Sequence, residues 1–543
     1  MQNAIKPNHV LWIFALIALV WFGTLEYRKL VRPDEGRYAE IPREMLATGN
    51  WVTPRLDGIK YFEKPALQYW MTAAAYKFFG EHQWTARLWS GLTGFLGLLL
   101  VYYTGRRIYD ERTGLYSALV LAGSLLYSVI GHLNTLDMGV TFFMCLSLCG
   151  LLIAQDDRTD EKGRRFWMHV AWAAMGFSIL SKGLIGVVLP GTVFFLYSLL
   201  QRDLAIWKKM HFFTGTLLML AVSVPWFVLV CRENPEFFHF FFIHEHFERF
   251  LTKEHGRYHP WSYFIPILLA GMLPWTITLF GALARSWKNE GKNFRSSLFL
   301  LVWCAFIYFF FSISDSKLPS YILPIFPALA LLIGKWLTGN RPISWHLLPT
   351  LLMGAAGIFL APQVVRFSDP IVPRELYEHF IPWLEGAAIL ALTGSVLAIF
   401  LDRKGLRTAA VFSISFSMLL SGQCIMLGHD SLAPANSAYD IAKKIRPYLK
   451  DDIPFYSVEM YEQTLPFYIK RTVTLVDYQD ELAFGISMEP RKWIPNLEGF
   501  EKVWKENKEA LAIMNPDTYE NLKKIIPMLV IAEDTRRIVV KKP

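Results

Sequence analysis

The chain has 543 residues, of which 53% are hydrophobic, 15% aromatic and only 19% charged. Soluble domains carry charge on about 25% of their residues. This composition, with a mean hydropathy of +0.29, therefore excludes a wholly soluble protein and indicates a membrane protein with some soluble mass. The net charge of +9 would suit a nucleic-acid-binding protein. However, the basic residues flank apolar segments in alternate short loops, which is typical of loops that stay in the cytoplasm, and we predict no nucleic-acid partner.

Apolar runs long enough to cross a bilayer recur throughout residues 1–428, which we predict to form a polytopic α-helical membrane domain. Breaks near 181–183 and 313–321 are ambiguous, so we expect about thirteen transmembrane helices, with twelve or fourteen as alternatives. The first run resembles the core of a signal peptide, but no small-residue cleavage site follows it, and we interpret it as a retained span. The predicted spans are 9–29, 86–104, 113–131, 138–154, 167–181, 183–200, 211–231, 262–283, 297–313, 321–338, 345–362, 381–401 and 408–427.

With the amino terminus in the cytoplasm, all of the basic short loops fall on the cytoplasmic side. The first loop at 31–85, the loop at 232–261 and the tail at 429–543 then fall on the outer side. The five cysteines all lie in apolar segments, so we predict neither a disulfide framework nor a cysteine metal site.

The first outer loop opens with two acids and two arginines in RPDEGRY at 32–38. A proline suits the first position of a helix, acids are favoured in a first turn, and a glycine follows residue 48, so the sequence predicts a helix over 33–48. At spacings of three and four residues, Asp34, Arg37 and Tyr38 share one face of that helix. Two interpretations stay open: a functional face, and an interfacial helix whose Asp34–Arg37 pair only keeps it soluble.

A second helix in the same loop is predicted from Pro65 to Gly80, where a mostly apolar segment should lie along the membrane surface. Lys64 immediately precedes its amino terminus. A lysine beside free backbone N–H groups and the positive end of a helix dipole makes an anion site, above all for phosphate. The alternative is a lysine that snorkels to the interface.

Three further short outer loops place a polar side chain at the end of a predicted span. They present Asp137 in HLNTLD, Lys182 in SKGLIG, and Tyr321 with Lys317 in SDSKLPSYILP. An acid at a membrane boundary is costly unless it is wet or paired, which suggests a function for Asp137. Ordinary boundary residues are the alternative.

The 232–261 loop is rich in histidine and aromatic residues and includes His244 and Arg249. Its His-Glu-His run lacks the three-residue separation of a zinc-protease helix, so that motif is absent. A metal shared with a distant carboxylate such as Glu63 stays open. An aromatic interfacial helix with solvated histidines is equally open.

Residues 429–543 are predicted to form a small soluble α/β domain outside the membrane. The predicted strands are 453–459, 472–478 and 529–535, and the predicted helices lie near 436–450 and 500–511. The chain has no glycine-rich phosphate loop or nucleotide fingerprint, so we expect no soluble nucleotide donor. A lipid-linked phosphate donor that enters from the bilayer would instead meet the carboxylates and cations at the outer ends of the spans.

The segment RPDEGRYAEIPREMLATGNWVTPRLDGIKYFEKPALQYW resembles the first outer loop of the bacterial lipid A aminoarabinose transferases, which have the C-type glycosyltransferase fold related to protein O-mannosyltransferases. TLD at 135–137, SKG at 181–183, HEHFERF at 244–250 and the outer C-terminal domain extend the resemblance over the whole chain. It implies transfer of 4-amino-4-deoxy-L-arabinose from undecaprenyl phosphate to a lipid A phosphate, with inversion at the anomeric carbon. It also implies the periplasmic face of a Gram-negative inner membrane.

Position by position, the resemblance implies catalytic roles for Asp34 and Asp137. It implies binding of the donor phosphate or lipid by Lys64, Arg37, Lys182, Arg249, Tyr38, Tyr61 and Tyr321. It also implies a bound metal, usually zinc and of open necessity, at Glu63 and His244. An acceptor hydroxyl would need a general base, a role that suits Asp34. A lipid A phosphate is already anionic, and Asp34 would then orient the acceptor or stabilise positive charge on the sugar.

Two alternatives to this function stay open. One is an enzyme of the same fold that passes another sugar to protein or to a different lipid. The other is a transporter or lipid flippase, which would carry charged residues at mid-membrane and inverted repeats. Neither feature is clear in this sequence.

Overall fold

The computed structural model describes residues 7–248, 259–288, 293–339 and 341–543, except for the side chains of 244–248. The chain divides into two compact units. The helical unit comprises Met1–Leu25, Trp89–Leu360 and Trp383–Met426, and the mixed unit comprises Glu26–Leu88, Ala361–Pro382 and Leu427–Pro543. The first outer loop, which we assigned to the membrane domain 1–428, therefore groups with the C-terminal tail.

Apolar α-helices make up most of the helical unit. Those that lie in it or enter it are Pro7–Gly23, Gln83–Ile108, Glu111–Gly123, Leu125–Ile130, Leu136–Gln155, Glu161–Lys182, Ile185–Gln201, Phe212–Glu233, Phe264–Gly271, Thr276–Ser286, Ser296–Ile313, Phe326–Leu337, Leu348–Leu360, Arg374–Arg403 and Arg407–Gly428. Its 3₁₀ turns are Ala205–Lys209, Trp261–Tyr263, Pro319–Ile325 and Ser344–Leu347, and a π-helix runs over His239–Glu248.

Among the residues that the structure describes, eight helices are long and apolar enough to cross a membrane. The count is nine if Trp261–Gly271 and Thr276–Ser286, which meet at 111°, form one broken span. The helices Pro7–Gly23 and Ile185–Gln201 are apolar but shorter. The predicted polytopic helical architecture is therefore confirmed, whereas the count of thirteen spans stays a prediction.

Small residues allow the central helices to approach closely. Close packing of this kind stabilises helix pairs in a bilayer, where the hydrophobic effect does not drive helices together. Gly334 on Phe326–Leu337 lies so near Glu111–Gly123 that an added Cβ would sit 2.7 Å from the backbone nitrogen of Ser117. As a result Phe326–Leu337 is buried along nearly its whole length. Lys335, in the last turn, is the one residue of this helix that is only partly buried.

The first helix of the mixed unit confirms the predicted 33–48 helix. It runs over Asp34–Thr48 and ends at Gly49, which adopts the left-handed conformation at φ +71° that favours glycine. The helix is buried on every side, and a Cβ at Gly36 would lie 2.6 Å from the carbonyl carbon of Gln463. An interfacial helix that keeps one face in water is therefore the wrong interpretation.

The rest of the mixed unit confirms the predicted α/β domain. In the first loop, β1 (Arg55–Leu56) and β2 (Ile59–Lys60) form a hairpin. The C-terminal strands are β3 (Phe455–Val458), β4 (Thr474–Val476), β5 (Leu511–Met514), β6 (Leu529–Glu533) and β7 (Ile538–Lys541). They form one sheet in the order β4-β3-β5-β7-β6, in which β3 is parallel to β4 and β5, while β7 is antiparallel to β5 and β6. Besides Asp34–Thr48, the α-helices of this unit are Leu67–Phe79, Ala433–Asn436, Tyr439–Ile445, Leu465–Ile469, Ala483–Met488, Leu497–Glu506 and Pro516–Leu522.

Candidate active site

Arg37 occupies a buried position at the start of the Asp34–Thr48 helix. Its guanidinium forms an ion pair with Glu481, and a second guanidinium nitrogen lies 3.6 Å from Oδ1 of Asp34. Gln463 positions Glu481 in turn, because its Nε2 donates to Oε1 of that carboxylate at 3.0 Å. Pairing of this kind offsets part of the cost of removing the guanidinium from water.

Burial sets the ionisation of the groups around Arg37. It raises the pKa of Glu481 above its ordinary value, although Arg37 favours the charged form. Burial also raises the pKa of Tyr38, Tyr61 and Tyr69. These three phenols therefore stay protonated at neutral pH and are available as hydrogen-bond donors.

Three buried donors in this region lack a hydrogen-bond partner among the described residues: Nε of Arg37 and the hydroxyls of Tyr61 and Tyr69. The Arg37 guanidinium lies 5.8 Å from the ring centroids of both Tyr38 and Tyr61. A buried donor without a partner costs about 1–3 kcal/mol, and a polar ligand would remove that cost. We refer to this group as the Arg37 cluster, which comprises Asp34, Arg37, Tyr38, Tyr61, Tyr69 and Glu481.

Lys64 lies just before the second helix of the first loop. That helix runs over Leu67–Phe79, two residues later than the predicted start at Pro65, and the Trp70 N–H donates to the Ala66 carbonyl at 2.9 Å in its first turn. The Lys64 ammonium donates to the Glu63 carbonyl at 2.8 Å and lies 3.9 Å from the Glu63 carboxylate. Only 18% of the lysine side chain is exposed, so it does not extend into solvent as a snorkelling lysine would.

Glu35 anchors the start of the Asp34–Thr48 helix from its other side. Both of its carboxylate oxygens accept hydrogen bonds from Arg28, at 2.7 and 2.8 Å, and from Arg87, at 2.8 and 3.0 Å. All three side chains are buried. Burial opposes the charge on Glu35, but the two guanidiniums outweigh it and hold the pKa of that carboxyl well below its usual range.

A second group of predicted residues meets inside the helical unit. Asp137 lies in the first turn of Leu136–Gln155 and pairs with Lys182, which lies in the last turn of Glu161–Lys182. The Lys182 ammonium also sits 4.8 Å from the ring centroid of Tyr321. The sequence placed these residues in three separate loops, and the helical packing brings all three together.

Two predicted residues lie outside what the structure describes, namely Arg249 and the side chain of His244. Among the described residues, no group of three or more histidine, cysteine or acidic side chains is placed to hold a metal ion. The expected zinc at Glu63 and His244 therefore stays a prediction.

Comparison with known proteins identifies the family. A model described as the aminoarabinose transferase C-terminal domain matches residues 441–542, and a dolichyl-phosphate-mannose-protein mannosyltransferase model matches residues 63–228. Over 516 residues the chain is 31% identical to the undecaprenyl phosphate-alpha-4-amino-4-deoxy-L-arabinose arabinosyl transferase of Erwinia tasmaniensis, and the match covers 91% of each chain. The chain belongs to this transferase family.

The fold agrees with membership of the aminoarabinose transferase family. The crystal structure of ArnT from Cupriavidus metallidurans bound to undecaprenyl phosphate superposes with a TM-score of 0.95 at 39% identity, covering 99% of this chain and 98% of that one. The apo structure of the same protein gives a TM-score of 0.92 at 39% identity, with 98% of each chain covered. The predicted C-type glycosyltransferase fold is thus confirmed, and the chain is an integral membrane protein.

Two members of the Arg37 cluster, Glu481 and Tyr69, were not predicted from the sequence, and neither was the role of Glu35 beside them. Glu481 lies in a polar stretch of the C-terminal tail, where no local pattern distinguishes it from a solvated acid. Tyr69 lies within a mostly apolar helix, where the pattern does not distinguish a functional tyrosine from a core aromatic residue. Glu35 gave a usable signal, because an acid directly beside Asp34 must point to a different side of a helix and therefore needs a cation of its own.

The Glu35 anchor generates a test of stability. Glu35→Gln leaves two buried guanidiniums without their anion, and breaking a buried ion pair costs about 3–5 kcal/mol. We expect a large fall in melting temperature at pH 7 in detergent. As a control, Glu378→Gln removes an acid of similar chemistry from the exposed Arg374–Glu378 pair, where the expected loss is about 0–1 kcal/mol.

The difference in melting temperature between the parent protein and Glu35→Gln should depend on pH, because the pKa of Glu35 is lowered in the folded protein. A carboxyl whose pKa is lowered in the folded state stabilises the protein fully above its unfolded pKa of about 4.3 and loses that contribution as the pH falls further. The gap in melting temperature between the parent protein and Glu35→Gln should therefore narrow on acidification below about pH 4.3. If Glu35→Gln lowered the melting temperature at pH 7 by no more than Glu378→Gln does, that result would contradict the anchoring role of Glu35.

Proposed function

We propose that this protein transfers 4-amino-4-deoxy-L-arabinose from undecaprenyl phosphate to a phosphate group of lipid A. Membership of the transferase family supports the sugar and the donor, because the relative from Erwinia tasmaniensis is named for both. The Cupriavidus metallidurans protein of the same fold binds undecaprenyl phosphate. The observation in this chain that carries the proposal is the set of three buried donors around Arg37 that have no hydrogen-bond partner in the part of the chain that the structure describes, since they suit a polar, anionic ligand.

The reaction exchanges one glycosyl phosphate bond for another. The bond from the anomeric carbon to the donor phosphate breaks, and undecaprenyl phosphate leaves with the electron pair. A lipid A phosphate oxygen forms the new bond from the opposite face, which inverts the configuration. Cations fixed in a poorly hydrated site stabilise the charge that develops on the leaving phosphate, and Lys64 and Arg37 are the side chains of the mixed unit that suit this role.

The acids take a different role, because a phosphate acceptor is already anionic and has no proton to lose. We assign Asp34 to the stabilisation of positive charge on the sugar, or to orientation of the acceptor. Its carboxylate is half-exposed and lies 3.6 Å from Arg37, so it is accessible to a ligand. In the helical unit, we assign Lys182 and Tyr321 to binding of the donor, and Asp137 to orienting Lys182 through their ion pair.

The proposal includes an orientation in the inner membrane of a Gram-negative cell. The basic residues in alternate short loops favour a cytoplasmic location for those loops, which places the first outer loop and the C-terminal domain in the periplasm. About thirteen spans satisfy this arrangement, because an odd number puts the two termini on opposite sides.

Labelling of introduced cysteines tests the orientation. Lys508 and Lys208 are exposed positions in the C-terminal domain and in the loop that contains Ala205–Lys209. In cells whose outer membrane has been made permeable, an impermeant maleimide should modify Lys508→Cys and leave Lys208→Cys unmodified, with the unsubstituted protein as the background control. The reverse pattern would contradict the proposed orientation.

Mass spectrometry of lipid A tests the reaction. In a Gram-negative host that lacks its own transferase gene but makes the donor, the parent protein should add one aminopentose to lipid A. Asp34→Asn preserves the shape of the side chain and removes its charge, and we expect product to fall by about a hundredfold or more. Its melting temperature should match that of the parent.

Glu378→Gln, at an exposed acid outside the Arg37 cluster, serves as the activity control and should transfer normally. Addition of a different sugar, or modification of protein with lipid A unchanged, would contradict the proposed substrate. Normal transfer by Asp34→Asn would remove this acid from the mechanism.

A further inference from the structure

A large cavity lies in the helical unit where several helices end. Its volume is about 820 Å³, and it is bordered by the ends of Gln83–Ile108, Thr276–Ser286 and Phe326–Leu337 and by the first turn of Ser296–Ile313. A ligand much larger than water fits in this volume. Neither the Arg37 cluster nor the Asp137 group contributes a residue to its lining.

Helix geometry separates this cavity from the Asp137 group. Asp137 lies in the first turn of Leu136–Gln155, whereas Arg158, which lines the cavity, follows the last turn of the same helix. A helix of 20 residues is about 30 Å long. The cavity therefore lies at the opposite end of the helical unit from Asp137, on the side that the basic loops predict to be cytoplasmic.

The charge of the cavity is positive. Arg158, Arg285, Lys288 and Lys335 line it, and Asp110 is the one acid among the described lining residues. Arg158 is already paired with Asp156 at 2.8 Å, so the three other cations and Asp110 leave an excess of two positive charges. The Asp110 carboxylate already has hydrogen-bond partners. Its carboxylate caps the next helix by accepting hydrogen bonds from the backbone nitrogen and hydroxyl of Thr113, at 2.9 and 3.0 Å.

Lys335 is fixed in the wall of the cavity. Its ammonium donates to the Ser297 hydroxyl at 3.0 Å and lies 4.4 Å from the ring centroid of Tyr109, whose own hydroxyl is 2.8 Å from that of Ser297. Basic residues at helix ends also complement helix dipoles and determine topology. Those roles need neither a cavity nor a lysine on a buried helix, because flexible cations in solvent fulfil them equally well.

The positive surface continues into a smaller cavity of about 260 Å³, which shares Thr338 and Gly339 with the larger one. Its described lining residues include three arginines, namely Arg112, Arg403 and Arg407, and one acid, Asp402. Asp402 pairs with Arg407 at 2.7 Å and accepts a hydrogen bond from a backbone N–H at 2.9 Å. The net positive charge of this end of the unit thus extends beyond a single cavity.

We propose that the larger cavity binds a phosphate group of an anionic ligand. Arginine presents paired N–H donors that match phosphate, and lysine adds a compact positive charge. Two sources supply such a group: the headgroup of an anionic phospholipid in the surrounding bilayer, since basic pockets between transmembrane helices bind such headgroups, or a soluble phosphorylated molecule. This site would regulate or stabilise the protein independently of sugar transfer.

Thermal unfolding of the purified full chain in a nonionic detergent tests the proposal. The first arm adds phosphatidylglycerol, with phosphatidylcholine as the uncharged comparison. The second arm adds sodium phosphate, with sodium chloride at equal ionic strength. A ligand that binds the folded state raises the melting temperature in proportion to its saturation, so the half-saturating concentration of each compound can be compared among variants.

The informative variant is Arg285→Gln with Lys288→Gln, which removes two cations from the rim of the cavity. Its matched control is Lys208→Gln with Lys209→Gln, because both lysines are exposed and neither lines the cavity. Lys335→Gln is measured separately, since its buried helix makes it more sensitive to misfolding. Each lost charge-assisted contact should weaken binding by about tenfold to a hundredfold.

The expected result is a rise in melting temperature of the parent and the control, with a half-saturating concentration at least about a hundredfold higher for the cavity variant, which loses two such contacts. A response to phosphatidylglycerol alone assigns the site to a lipid headgroup, and a response to phosphate in the detergent background assigns it to a soluble anion. Equal responses by the cavity variant and the control, or no response of the parent to either compound, would overturn the proposal.

Discussion

The paired contact of one buried carboxylate with two buried guanidiniums determines where the candidate active site is built. Glu35 accepts two hydrogen bonds from Arg28 and two from Arg87. An isolated ionised carboxylate in this position would be prohibitively costly, whereas a fully hydrogen-bonded one is tolerated. The contact fixes the first turn of the Asp34–Thr48 helix, and through it the directions of Asp34 and Arg37.

The Arg37 cluster differs from this anchor in one physical respect. Both carboxylate oxygens of Glu35 accept hydrogen bonds. By contrast, Nε of Arg37 and the hydroxyls of Tyr61 and Tyr69 are buried and have no hydrogen-bond partner among the described residues. A satisfied network rigidifies a structure, and an unsatisfied one costs stability until a ligand completes it. A rigid anchor directly beside unsatisfied donors is the arrangement that a preorganised binding site needs.

The sequence predicted the parts of this arrangement that local chemistry determines. Capping signals located the helix at Asp34–Thr48, and alternating apolar residues located β3, β4 and β6. The meeting of Asp137, Lys182 and Tyr321 followed from span ends and the family resemblance. The role of Glu481 could not be predicted from the sequence, because its partner, Arg37, is distant in sequence. The strands β5 and β7 were missed because four-residue apolar runs do not distinguish a strand from a helix.

Binding of undecaprenyl phosphate to purified protein in detergent tests the central claim most directly, namely that the donor phosphate is held beside the Arg37 cluster. Lys64→Ala should weaken binding by about tenfold to a hundredfold, the cost of one charge-assisted hydrogen bond. Lys77→Ala, an exposed lysine in the last turn of the adjacent helix, is the matched control and should bind as the parent does. Asp34→Asn should also retain binding, because that acid is assigned to the sugar or the acceptor. Equal affinity of Lys64→Ala and the parent would contradict the account, because Lys64 would then make no contact with the donor phosphate.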